Sequence, residues 1–242
     1  MTIPQKVPLS VSRSFDFGLS TYTLFIGHFA VGFASKRLAP RTSVAMLILA
    51  PLFLDILFPV FVLTGREHAR IVPGTTRVMP VDLFDYPWSH SLLMSVVWSI
   101  VFGAVHFAFR RDRTVALVLG AGVFSHFILD WVTHRPDMQL YPGSSTRVGL
   151  GLWNSVVGTL VIEGALFIAG VALYATGTRA KSRRGIIGFW LFVLALIAVY
   201  LGSLFGPPPS SMTAMTVSGV IANLLFFWIF WFDRHREALY SR

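Results

Sequence analysis

Cysteine is absent from the 242 residues, which excludes a disulfide framework, a zinc-thiolate site and a thiol nucleophile. Any covalent or metal chemistry therefore falls to His, Asp, Glu, Ser or Tyr. Charge is also scarce: 13% of residues are charged, against roughly 25% in an average soluble domain. With 55% hydrophobic residues and a mean hydropathy of +0.68, that scarcity excludes a water-soluble globule. Acidic residues are the scarcest charge, 11 against 20 Lys and Arg. Such an excess can signal nucleic acid, but here the basic residues sit in short clusters between long apolar runs, as in a polytopic membrane protein. No groove-reading motif or interleaved aromatic pattern accompanies them, so the expected partner is membrane lipid and not nucleic acid. Nothing in the chain speaks to oligomeric state.

What is abundant is apolar sequence of spanning length. A hydrocarbon core about 30 Å thick needs about 20 apolar residues as helix, and seven stretches qualify, near 17–35, 43–63, 89–109, 114–134, 149–175, 185–205 and 212–232. The expected fold is all-α, a polytopic transmembrane helical bundle of about seven spans. Residues 1–16 carry Lys6 and Arg13 without an apolar core or a small-residue cleavage site, and read as an exposed or interfacial tail, not a cleavable signal peptide. Residues 17–175 form a five-span core that holds the polar residues discussed below. Residues 176–242 supply two further spans and a C-terminal tail. Pro40, the stretch from Gly177 to Arg184 and GPPPSS at 206–211 mark connections. The longest connection, Thr64 to Trp88, reads as a solvated loop of mixed charge with Glu67, Asp82 and Asp85, or as a lid; Tyr86 and Trp88 at its end suit an interfacial aromatic belt.

Seven spans put two sets of loops on opposite sides. One side holds Lys6, Arg13, Arg66, Arg70, Arg77, Arg135 and Arg147; the other holds the denser groups, among them Lys36, Arg37 and Arg41, Arg110, Arg111 and Arg113, and Arg179, Lys181, Arg183 and Arg184. The positive-inside rule then places the C-terminus in the cytoplasm.

Three acidic residues lie inside the apolar stretches: Asp55 in LFLDILFP, Asp130 in SHFILDWVTH and Glu163 in LVIEGALF. A mid-span Asp costs about 3 kcal/mol on insertion, so partners are required. Five of the seven histidines lie in or at the ends of the same stretches: His28, His90, His106, His126 and His134. The spacing of His126, Asp130 and His134 at intervals of four places them on one helical face. Counted from the outer ends at about 1.5 Å per residue, His134 and His90 lie at the surface, Asp130 roughly 6 Å deep, His126 and Asp55 roughly 12 Å, and His28 roughly 16 Å. Six candidate ligands, His28, Asp55, His90, His126, Asp130 and His134, thus share one half of the membrane. His106 lies near the opposite end and reads as structural or interfacial. Glu163, roughly 21 Å deep, reaches such a site only from below. Asp137 follows the helix-ending Pro136 and belongs to a loop, as ligand, orienting acid or solvated residue.

Nitrogen and oxygen donors without sulfur suit zinc, with manganese or iron as alternatives. Six donors exceed the needs of one tetrahedral ion, so one or two ions are expected. Two ions about 3.5 to 4 Å apart suit a phosphate ester. Arg135 and Arg147 either grip that phosphate or contact headgroups, and Ser91 lies beside His90 as a further substrate contact. A chain of intramembrane His and Asp also suits a proton-coupled transporter, and a third possibility is a noncatalytic metal-stabilised scaffold.

The combination of IGHFAVG in the first stretch, LFLDILFP in the second, WSHSLL opening the third, SHFILDWVTH closing the fourth and GLGLWNS opening the fifth resembles the YdjM-like family of inner-membrane proteins, over about residues 20–175. That resemblance implies a bacterial inner-membrane metal-dependent hydrolase. The scattered His and Asp with an H-x3-D helix are also similar to zinc-dependent phospholipase C and the related single-strand nucleases. This second similarity implies metal-ligand roles for His126 and Asp130, with His28, Asp55, His90 and His134 completing the shell. Those enzymes are soluble and begin the mature chain with a metal-binding Trp, whereas this chain begins MTIPQ. The reading as a whole is a membrane-embedded hydrolase cleaving a phosphate ester or phosphodiester, most naturally of a lipid, with a metal-activated water. A carboxylate left free of metal, from among Asp55, Asp130 and Glu163, would orient that water or take its proton.

Overall fold

The computed structural model describes residues 26–239; the expected tail and the opening of the first apolar stretch, with Lys6 and Arg13, lie outside the described residues. In chain order the elements are α1 (Ile26–Ser35), α2 (Val44–Leu63), β1 (His68–Ile71), β2 (Val81–Asp85), α3 (Pro87–His90), α4 (Leu92–Arg110), α5 (Arg113–Thr133), β3 (Met138–Gln139), β4 (Arg147–Val148), a 3-10 turn (Leu152–Asn154), α6 (Val156–Gly177), β5 (Thr178–Ala180), α7 (Arg183–Phe205), α8 (Met212–Ala222), α9 (Leu225–Arg234) and β6 (Arg236–Ala238). Six helical segments among the described residues are long and apolar enough to cross a membrane: α2, α4, α5, α6, α7, and the run Met212–Arg234 that contains α8 and α9. With α1, a shorter apolar helix at the edge of the described residues, the bundle is close to the seven spans expected.

Local chemistry sets the helix starts. Ser43, Ser91, Asp112, Ser155 and Ser211 each accept a backbone N–H of the first turn through the side chain, and each such cap is worth about 1 kcal/mol. Three boundaries differ from the sequence expectation. Residues 149–155 do not belong to α6: Gly149 and Gly151 take positive φ angles of 152° and 77°, Leu152–Asn154 form the 3-10 turn, and Ser155 caps α6. His90 ends a separate single turn before α4. The last span tightens to i→i−3 bonding at Asn223 and Leu224, between α8 and α9, while both residues keep helical dihedrals.

Apolar packing divides into three groups. Around Phe33, Tyr174, Phe189, Phe192 and Phe232, the helices α1, α2, α6, α7 and α9 share one core. Leu47, Ala50 and Leu54 of α2 meet Leu119 and Val123 of α5 in a second. The third, Phe58, Val78, Met79, Val81, Leu83, Tyr86, Phe127, Met138, Trp153 and Met215, roofs the end of the bundle where α2 and α5 finish. That roof corrects the reading of Thr64 to Trp88 as a solvated loop: β1 and β2 pair antiparallel, and Val81, Asp82 and Leu83 are buried. Alternation in so short a strand carries little signal, and its partner β1 is largely exposed.

The opposite end is fastened by Asp233 on the last turn of α9. Its Oδ2 accepts the Val44 N–H at the start of α2 (2.9 Å) and lies 3.4 Å from the Lys36 ammonium, while Oδ1 accepts the Tyr174 hydroxyl (2.8 Å). Beside it β5 pairs antiparallel with β6. The final helix is thus tied to α1, α2 and α6, which holds the bundle closed around the site at the other end.

Candidate metal centre

Three segments deliver four histidines to one point. His28 comes from α1, His90 from the end of α3, His126 from α5 and His134 from the residue that caps α5, whose N–H bonds the Asp130 carbonyl (2.7 Å). Their Nε2 atoms surround the Asp130 carboxylate: His28 stands 3.4 Å from Oδ1, and His126, His90 and His134 stand 3.0, 3.6 and 3.6 Å from Oδ2. Asp55 of α2 joins from the side, its Oδ1 3.6 Å from His90 Nε2 and 3.9 Å from His126 Nε2. The side chains of the four histidines and Asp130 are at most 6% exposed, whereas Asp55 is 20% exposed.

The far sides of three rings decide which nitrogen carries the proton. His126 Nδ1 lies 2.7 Å from the Pro51 carbonyl, which can only accept. His90 Nδ1 lies 2.6 Å from Ser89 Oγ, and Ser89 spends its own hydroxyl proton on Glu67 Oε2 (2.7 Å) while its N–H bonds Glu67 Oε1 (2.7 Å). His134 Nδ1 lies 3.1 Å from Asp137 Oδ1, which also accepts the Tyr86 hydroxyl (2.7 Å). Each Nδ1 is therefore the donor, and each Nε2 presents a lone pair to the Asp130 carboxylate. Lone pairs opposed at 3.0 to 3.6 Å repel, and a proton or a metal ion between them relieves that repulsion. Both nitrogens of His28, His126 Nε2 and Asp55 Oδ2 are buried without a hydrogen-bond partner. Such unpartnered polar atoms suit a metal ion, as does the pattern of rings whose other nitrogen is held by a carbonyl, a serine hydroxyl or a carboxylate.

Two triads have donor atoms within 4.8 Å of one another: His28, His126 and Asp130, and Asp55, His90 and His126. His126 is common to both triads, and with one free lone pair it can hold an ion in only one of them at a time.

The supporting shell extends outward through loops. Asp137 also accepts Arg135 Nε (3.1 Å), Arg135 pairs with Asp82, and Asp82 pairs with Arg70 (2.6 Å). Burial opposes ionisation of Asp137, but the bonds and charge of His134 hold its carboxyl below the usual range. Burial pushes the Glu67 carboxyl up, opposed by the charge of His90 and the bonds from Ser89. The last carbonyls of α5 are also covered: the His134 carbonyl accepts Gly151 N–H (2.6 Å) and the Trp131 carbonyl accepts Leu150 N–H (2.7 Å). Gly149 is required there, because any Cβ would strike the carbonyls of Arg135 and His134.

This chain belongs to the YdjM inner membrane protein family. The family model for YdjM inner membrane protein matches residues 21–206, which include every residue of the cluster and its supporting shell. Together with the apolar helices, membership makes it a multi-pass inner-membrane protein. No curated protein and no solved structure matches the chain.

The remaining residues singled out from the sequence are placed as follows. Glu163 is buried on α6, beside Gly27 and Tyr200, and shares a cavity of about 90 Å³ with His28, outside both triads. Ser91 is buried and caps α4 by accepting Met94 N–H. Arg135 is engaged with Asp82 and Asp137. Arg147 donates to the Ser144 carbonyl (3.2 Å) and acts electrostatically on Tyr86. His106 lies near the far end of α4. Glu67 and Ser89, which hold His90, escaped the sequence reading; the pairing spans 22 residues and crosses the hairpin, and the one local signal is Ser89 adjoining His90.

Proposed function

We propose that this protein is a membrane-embedded metal-dependent hydrolase that cleaves a phosphate ester or phosphodiester, with a lipid as the natural substrate. The observation that carries the reading is the convergence of four imidazole Nε2 atoms on the Asp130 carboxylate, three of them held as acceptors by Pro51, Ser89 and Asp137. Zinc, or manganese, fits this nitrogen and oxygen donor set. Bound there, one or two such ions would polarise a phosphoryl oxygen and lower the pKa of a water.

The chain's own residues supply orientation and proton handling. Asp130, held by four imidazoles, serves as the shared carboxylate. Asp55 is the most exposed of the candidate ligands at the site cavity of about 30 Å³, and its unpartnered Oδ2 is placed to orient a water or take its proton. Met79, Leu83, Trp153 and Met215 line the same cavity and restrict bulk water. Arg147, close enough to influence Tyr86 at the cavity wall, contributes positive charge toward a phosphate. The denser basic loops lie at the end remote from the cluster, so the C-terminus is cytoplasmic and the site faces the outer side.

The test is elemental mass spectrometry and phosphodiester hydrolysis on detergent-purified protein, wild type beside Asp130→Ala and His126→Ala. Stoichiometric metal and hydrolysis, both lost in the variants, are expected. Metal-free wild-type protein that moves protons in liposomes would replace this reading with transport.

A further inference from the structure

Among the described residues α4 is the least buried of the spanning segments, with only Ser95 and Gly103 fully covered. It meets α5 through glycine: a Cβ on Gly103 would stand 2.8 Å from the Ala116 carbonyl oxygen, and one on Gly120 would stand 3.1 Å from that of Ser99. Outside this close contact an apolar groove of about 780 Å³ runs between the two helices, lined by Ile100 and Phe107 of α4 and by Leu117 and Phe124 of α5. It shares no residue with the cavity over the histidine cluster.

Positive charge marks one end of the groove. Arg113, the first residue of α5, lines it, and the Arg111 guanidinium stands 5.8 Å from the ring centroid of Phe107, which lines it too. Arg111 takes a φ of 56°, the only positive φ of a non-glycine residue among the described ones, so the chain turns from α4 into α5 within two residues and keeps Arg110, Arg111 and Arg113 together. The one carboxylate of that turn, Asp112, is held against α5 by the Val115 N–H (3.0 Å). From Arg113 the groove extends to Phe124, about 17 Å at 1.5 Å per residue, and the hydrocarbon of one leaflet is about 15 Å deep. Its volume falls within the roughly 300 to 1,000 Å³ of ordinary ligand clefts.

We propose that this groove is a binding site for a glycerophospholipid with an anionic headgroup, an acyl chain lying between α4 and α5 and the phosphate at Arg113 and Arg111. Guanidinium is the side chain best matched to phosphate oxygens, and a basic recess between spanning helices is a recurrent seat for anionic lipid. Packing and charge favour lipid over a second copy of the chain. A helix of a second copy needs small residues free to face it, and the space at Gly103 and Gly120 is already taken up between α4 and α5. Two copies inserted the same way round and paired through this face would also bring their arginine turns together at one depth, where like charges repel. A phospholipid neutralises the turn and covers the exposed side of α4.

The experiment is native mass spectrometry of the detergent-purified full chain, titrated with phosphatidylglycerol and, separately, with phosphatidylcholine of the same acyl chains. One phosphatidylglycerol per chain is expected, held at least about fivefold more tightly than phosphatidylcholine. Arg113→Gln and Arg111→Gln should each weaken phosphatidylglycerol about fivefold, the effect of one basic residue at a membrane surface. Ala104→Phe and Ala121→Phe, at exposed positions lining the groove, should weaken both lipids about tenfold, the effect of excluding about two methylenes. Arg183→Gln, in a basic turn elsewhere, and Val161→Phe, on the exposed face of α6, should bind as wild type. Far-ultraviolet circular dichroism reports whether each variant is folded. Equal retention of the two lipids would overturn the site, as would a loss in Arg183→Gln matching that in Arg113→Gln. A dimer that Ala104→Phe splits would assign the groove to a second copy and overturn the lipid.

Discussion

His126 and Asp130 lie four residues apart on one helix, and the imidazole Nε2 stands 3.0 Å from the carboxylate Oδ2 while the opposite nitrogen is fixed on the Pro51 carbonyl of a neighbouring helix. The pair is buried completely on one side and 3% exposed on the other. A carboxylate held this way has no freedom to turn from the centre. Asp130→Asn keeps the shape and removes the charge, and is expected to reduce bound metal at least about tenfold, as measured by elemental analysis after dialysis against apo buffer.

The Glu67, Ser89 and His90 chain acts as one unit. Glu67→Gln and Ser89→Ala should each weaken metal binding about 10- to 100-fold, the usual consequence of losing an outer-shell partner. Their double variant should be little worse than either single one, because both remove the same restraint on His90. Competition with a zinc indicator measures the three affinities. Additive losses would show that Glu67 and Ser89 act separately.

Metal retention should fall on acidification. The four imidazoles bind an ion only when neutral, and free histidine takes its proton near pH 6.5. Titration from pH 8 to about pH 5 should release metal together with its protons, and chelator at pH 8 should remove it without unfolding the helices. Retention of the full complement at about pH 5 would exclude imidazole as the main donor.

Asp233 offers a control far from the centre. Replacing it by Ala leaves the Lys36 ammonium buried without its partner and the α2 N-terminus without its acceptor. The expected cost is about 3 kcal/mol of stability, seen in thermal unfolding in detergent. Metal bound per folded chain should not change.

Gly149→Ala tests the loop that covers the end of α5. The backbone there is at φ 152° and the added methyl would meet two carbonyls, so a loss of about 1 to 3 kcal/mol is expected. Because the disturbed carbonyls belong to His134 and Arg135, metal affinity should fall along with stability.

Much of the arrangement was legible before any coordinates. The apolar stretches announced the bundle because hydrocarbon admits backbone only as helix or closed barrel, and the i, i+4 spacing of His126, Asp130 and His134 announced a shared face. The structure brings these residues together with His28, Asp55 and His90 in one cluster. What stayed hidden depends on contacts distant in sequence. Glu67 looked like one more loop charge until the hairpin laid it under Ser89. Residues 149–155 read as the start of a span because Leu150, Leu152 and Trp153 raise its hydropathy; Trp153 instead joins the roof of the site, Leu150 is exposed, and Gly149 and Gly151 take positive φ. Asp233 fell just outside the expected last span, so its role in closing the bundle could not be anticipated.

The order of the ligands along the chain has a consequence for biosynthesis. His28, Asp55 and His90 enter the membrane first, and the two residues that contact nearly all of them, His126 and Asp130, arrive on the fourth long stretch. Until then the earlier helices hold only a partial cradle. A metal ion held by this cluster would therefore load only after α5 inserts, and a nascent chain arrested at Asp112 should retain none.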